Sequence, residues 1–111
     1  MDHLFEAIKQ IAKTNPLGFT VSIKPLKMLT GGISVAYIET QNSFDDKGLE
    51  RVLKHALDNS KTVGGWLNSE NGKFYYDSVR IFTDLEEAKQ FARENKQLAI
   101  FDLSTERLIW L

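Results

Sequence analysis

The sequence predicts an α+β domain, a mainly antiparallel sheet of about six strands with three helices on one face, in the order αββ-αββ-αββ. Three observations carry this. Three segments place apolar residues at helical spacing. The segments between them alternate in polarity or are rich in β-branched and aromatic residues, as strands are. The strands also come in pairs joined by short connections, which favours antiparallel pairing with helices packed on one side. The repeated order of elements has no sequence repeat behind it. A length of 111 residues suits a single domain over 1–111.

The first helix runs from Leu4 to Lys13, with Leu4, Phe5, Ile8, Ile11 and Ala12 on one face. Asn15-Pro16 stops it, because a residue before proline is pushed out of the helical region. In "GFTVSIKP" Phe19, Val21 and Ile23 alternate with Thr20, Ser22 and Lys24, the pattern of a half-buried strand that Pro25 ends or marks as an edge. "LKMLTGG" reads as a loop and "ISVAYIET" as the second strand.

The cleanest helix lies in "SFDDKGLERVLKHALDNS", where Leu49, Val52, Leu53, Ala56 and Leu57 repeat at i, i+3, i+4, i+7 and i+8. Asp45 and Asp46 stand at its start, where negative charge suits the helix dipole. Its face is expected to bury against Phe19, Val21 and Ile23. Next comes "VGGWLNSENGKFYYDSVRIF", Val63 to Phe82, a hairpin around Asn71-Gly72. A two-residue loop sets Glu70 opposite Lys73, Leu67 opposite Tyr76 and Trp66 opposite Asp77; a three-residue loop moves that pairing by one. The third helix, "TDLEEAKQFAREN", opens with Thr83 and Glu86 at capping-box spacing. "QLAIFDL" and "RLIWL" close the chain as two strands joined across "STE".

Charge excludes several functions. Lys plus Arg number 14 and Asp plus Glu 15, so no field draws in nucleic acid, and no acidic excess mimics it. Without cysteine there is no disulfide framework, thiolate zinc site or cysteine nucleophile, which is compatible with a reducing cytoplasm. "MDHLFEAIKQ" lacks the apolar core of a signal peptide, and no apolar run reaches the roughly 20 residues a membrane span needs.

The chemistry-bearing residues are few. His3 and His55 have no ligand partner at metal spacing and read as surface histidines, His55 on the solvent side of its helix. "TGG" at Thr30–Gly32 and "VGG" at Val63–Gly65 run into strands rather than opening a helix, so they read as bulges or close approaches, not phosphate cradles. Asp77 and Arg80 are three apart on one strand and point to opposite faces. Asp77 shares its face with Tyr75, Val79 and Ile81, and Arg80 shares the other with Phe74, Tyr76, Ser78 and Phe82. Each is either a rim charge or a polar group set in a pocket. The hairpin aromatics lack interleaved basic residues, so packing and protein recognition explain them better than base stacking.

"GFTV", "VGGW", "NGKFYYDSVRIF", "EEAKQFAREN" and "QLAIFDL" resemble, in this order, a group of small uncharacterised proteins encoded by mobile genetic elements of gut bacteria. The resemblance implies a setting, an accessory gene of a phage, plasmid or conjugative element acting in the cytoplasm, and no activity. The expectation is a non-enzymatic binding module that meets another protein through Trp66, Tyr75, Tyr76, Asp77 and Arg80, with no catalytic residue, cofactor or metal assigned. The alternative is a nucleic-acid-binding accessory protein. A third reading is a small enzyme with a carboxylate or tyrosine acid, which calls for a deep pocket holding Asp77 or Glu39.

Overall fold

The computed structural model describes residues 2–111; Met1, the first residue of the segment read as lacking a signal-peptide core, lies outside them. The elements are α1 (Asp2–Thr14), β1 (Phe19–Ile23), β2 (Leu26–Met28), β3 (Ile33–Ala36), a 3-10 turn (Ile38–Thr40), β4 (Ser43–Phe44), α2 (Asp45–Asp58), β5 (Thr62–Asn68), β6 (Lys73–Phe82), α3 (Leu85–Glu94), β7 (Ala99–Asp102) and β8 (Arg107–Trp110). No helix among the described residues is long and apolar enough to cross a membrane.

The class is α+β; among the described residues there are three helices and one antiparallel sheet, but the strands number eight rather than about six. The additions are β2 and β4, so the first helix is followed by four strands where the order αββ expected two. β2 arises in the expected loop because Leu26–Met28 folds back onto β1, with Val21 opposite Met28. The sheet runs β2-β1-β5-β6-β3-β7-β8, and β4 lies beside β6. β6 is long enough to hold β5 on one edge and both β4 and β3 on the other. β4 and β5 therefore run the same way on either side of β6, joined by α2. In the same manner β6 and β7 flank β3 and are joined by α3.

Both core clusters lie on one face. Val21 faces Val63 and Gly65 faces Tyr76 across the ladder, and Phe82 follows Tyr76 by six residues on the same side of β6. The larger cluster joins Ile8 and Ala12 of α1 and Leu49, Val52, Leu53 and Ala56 of α2 to the β1 row Phe19, Val21, Ile23; Leu57 packs against it half-buried. The smaller joins Ala88 and Ala92 of α3 to Val35, Phe82 and Ile100. Among the described residues, all three helices thus cover one face of the sheet, and the other face carries none.

Two local expectations need correction. The hairpin pairs Trp66 with Tyr75, Leu67 with Phe74 and Asn68 with Lys73, two residues away from the two-residue-loop register. The loop is four residues long. Asn68 Oδ1 accepts from the Glu70 N–H at 3.0 Å and Asn71 Oδ1 from the Lys73 N–H at 2.9 Å. These side-chain turns compete with the tight hairpin, and only Gly72 takes a positive φ, of 71°. The cap of α3 is Asp84, whose Oδ2 accepts from the Glu87 N–H at 3.0 Å, not Thr83.

Gly65 is a close approach. A β-carbon there stands 2.7 and 2.8 Å from two atoms of the Phe19 ring and 2.8 Å from the Phe74 ring. Those rings are themselves packed 6.0 Å apart, centroid to centroid, in the larger cluster. Gly65→Ala is expected to cost about 1–3 kcal/mol by urea denaturation, the usual penalty for overpacking a filled core. A neutral substitution would mean that the rings are free to part.

Candidate binding face

The helix-free face is built from rows of side chains that cross the strands. At one end the register sets Trp66 opposite Tyr75, and Tyr75 opposite Phe44. The three rings form a continuous shelf. Trp66 stacks on Tyr75 at 5.4 Å between centroids and 20° between planes, and Phe44 lies 5.5 Å from Tyr75 on its far side. The hairpin loop stiffens this shelf: Asn71 Nδ2 donates to the Tyr75 hydroxyl at 3.0 Å. Lys73 Nζ stands 4.1 Å above the Phe44 ring, a cation–π contact. Trp66 nevertheless remains 44% exposed. Rings on this face have no helix to cover them.

The next row reads Thr20, Gly64, Asp77. Gly64 presents no side chain across the ladder from Asp77. Below it Val79 is buried and Ile81 half-buried, although they face away from the helices. Asp77 therefore sits between an aromatic shelf and an apolar floor. Burial lifts its carboxyl to about 6, and no cation or donor among the described residues offsets that. The carboxylate can offer a charge or, near neutral pH, exchange a proton. Two hollows lie elsewhere, along α2 and where α1, α2 and the hairpin meet, and neither includes Asp77.

The five residues singled out from sequence divide between the two faces. Trp66, Tyr75 and Asp77 share the open face. Tyr76 points the other way, into the larger core cluster beside Phe19 and Phe74. Burial, with Asp46 and Asp45 adding to it, pushes its hydroxyl up to about 12, so it stays a neutral phenol. Arg80 is exposed on the helix side, its guanidinium 4.8 Å from the Phe82 ring and 5.4 Å from the Phe91 ring.

The helix face holds a polar network that the sequence did not announce. His55 is not a solvent-facing histidine. Its Nδ1 meets Ser78 Oγ at 2.8 Å and its Nε2 meets Glu39 Oε1 at 3.2 Å. The Tyr37 hydroxyl bonds to Ser60, and the Ser78 N–H donates to Thr40 Oγ1 at 3.0 Å. A carboxylate, an imidazole and a hydroxyl in line invite comparison with a nucleophilic triad. Ser78 is 0% exposed, however, so no substrate reaches its oxygen. The chain instead pins the 3-10 turn and the middle of β6 to α2. His3 is exposed, and among the described residues no three of His, Asp and Glu converge as metal ligands would.

No protein-family model matches this chain, and no curated protein or solved structure matches it.

Proposed function

We propose that the protein is a non-enzymatic recognition module whose helix-free sheet face docks another protein. The single observation behind this reading is the Trp66–Tyr75–Phe44 shelf standing beside the uncompensated Asp77. Rings held by strands and by a hydrogen-bonded loop lose little freedom on binding, and tryptophan and tyrosine supply much of the energy at protein interfaces. A desolvated carboxylate without a partner is best met by a cation, so the surface fits a partner that presents an apolar patch with a lysine or arginine. The near-zero net charge speaks against nucleic acid as that partner. Asp77 lines neither of the two hollows along the helices, which speaks against an acid catalyst. We read the module as an accessory protein of a bacterial cytoplasm, a reading supported by the likeness of its strand and hairpin motifs to proteins of mobile elements.

The test is capture from a lysate of the host cell by the immobilised protein. Trp66→Ala should weaken retention of a specific partner by about 2 kcal/mol, roughly thirtyfold, while stability changes by less than about 1 kcal/mol. Leu85→Ala, at an exposed site on α3, which packs on the opposite face, serves as the control. Retention unchanged in a folded Trp66→Ala protein would remove the face from the function.

A further inference from the structure

The two edges of the sheet differ. One is β2, three residues long, entered through Pro25 and centred on Lys27. Short length, proline and lysine are the devices that keep an edge from pairing with another chain. The opposite edge is β8, "RLIW", with no proline, no lysine and one charge at its start. Leu108 is 56% exposed and Trp110 70%, and among the described residues no element lies beyond β8.

The outward backbone groups of β8 follow from its ladder with β7. The Leu111 N–H donates to the Leu98 carbonyl at 3.1 Å, and the pairing places Ile100 opposite Ile109 and Asp102 opposite Arg107. In an antiparallel pair, bonded and non-bonded positions alternate. Residues 107, 109 and 111 thus bond inward to β7, and Leu108 and Trp110 turn their N–H and C=O groups out to the free edge.

We infer that β8 pairs with β8 of a second copy of this chain, antiparallel about a two-fold axis at Ile109. Symmetry limits the choices. A two-fold axis normal to the sheet keeps like faces together and pairs residues whose numbers sum to an even value. Centring on Leu108 sets Trp110 opposite Glu106, which has a φ of 57° and has left the strand. Centring on Ile109 sets Leu108 opposite the partner copy's Trp110, twice over. Both positions carry outward N–H and C=O groups, so the register forms four backbone hydrogen bonds and two Leu–Trp cross-strand pairs. The guarded edge at β2 keeps the assembly from growing further, so it closes as an isologous dimer with one continuous open face. The contact is short and at the small end of interface sizes, so dissociation on the order of ten micromolar is expected.

Sedimentation equilibrium over a concentration series tests this. The wild-type chain should pass from the monomer mass to twice that mass. Trp110→Lys should raise the dissociation constant at least about tenfold. The double variant Leu108→Glu with Trp110→Lys should dimerise again, because the register sets each introduced acid opposite an introduced base. Circular dichroism matching the wild type shows that each variant is folded. A wild type monomeric throughout the series, a dimer indifferent to Trp110→Lys, assembly beyond the dimer, or failure of the folded double variant to regain pairing would each overturn the inference.

Discussion

Replacing Leu53 by alanine is expected to remove about 2–5 kcal/mol from the stability of the fold. Leu53 is fully buried in the middle of α2 and packs in the cluster that joins α1, α2 and β1. Truncation removes transfer energy and leaves a cavity. The surrounding side chains cannot fill it cheaply, because Leu49, Val52 and Ala56 are already fixed on the same helix and Val21 and Val63 lie on the sheet below. Urea denaturation gives the loss directly. A value below about 0.5 kcal/mol would show that α2 is not seated on the β1–β5 part of the sheet.

Asp77→Asn is expected to act in the opposite direction. The folded-state carboxyl is raised from 3.8 to about 6 by burial. A raised carboxyl means that the folded state holds its proton more tightly than the unfolded chain. Stability from this group is therefore present at low pH and is lost as pH rises through the window from about 4 to about 6. Above that window the ionised group costs about 2–3 kcal/mol, the worth of a shift of this size. The amide removes that charge. The variant should be more stable than the wild type by about 2 kcal/mol at pH 8, less than the full cost because the amide also loses water. At pH 4 and below the two should be nearly equal. Destabilisation at pH 8 would reveal a favourable partner for the carboxylate and undo its description as uncompensated. The same substitution should weaken capture of the partner, since it deletes the charge meant for a cation. A residue that costs stability yet supports binding is what a working surface requires.

The elements that were legible in the sequence are those whose pattern is long and repeats. Five apolar positions fixed α2, and alternation in "GFTVSI" fixed both β1 and its inward row. β2 and β4 escaped because three and two residues are too few to show a period, and both exist through what they pair with. The hairpin was evident, but its register depended on Asn68 and Asn71 bonding the loop backbone rather than on the Asn-Gly signal alone. For the open face, alternation already separated Asp77 and Tyr75 from Tyr76 and Arg80. Burial of the carboxylate could not be read, because it rests on the surroundings that the fold gives Asp77. His55 lies beside the apolar stripe of α2, and only the position of Ser78 and Glu39 beneath and beside it turns it inward. No spacing in the chain links residues 39, 55 and 78.

The central claim is that the helix-free face is the surface by which the protein works. The direct measurement is chemical-shift mapping of the isotope-labelled protein with the partner whose capture depends on Trp66. The account predicts that backbone and side-chain signals of Phe44, Gly64, Trp66, Tyr75 and Asp77 move together on titration. Shifts confined to the outer sides of α2 and α3, with those five signals unchanged, would contradict it.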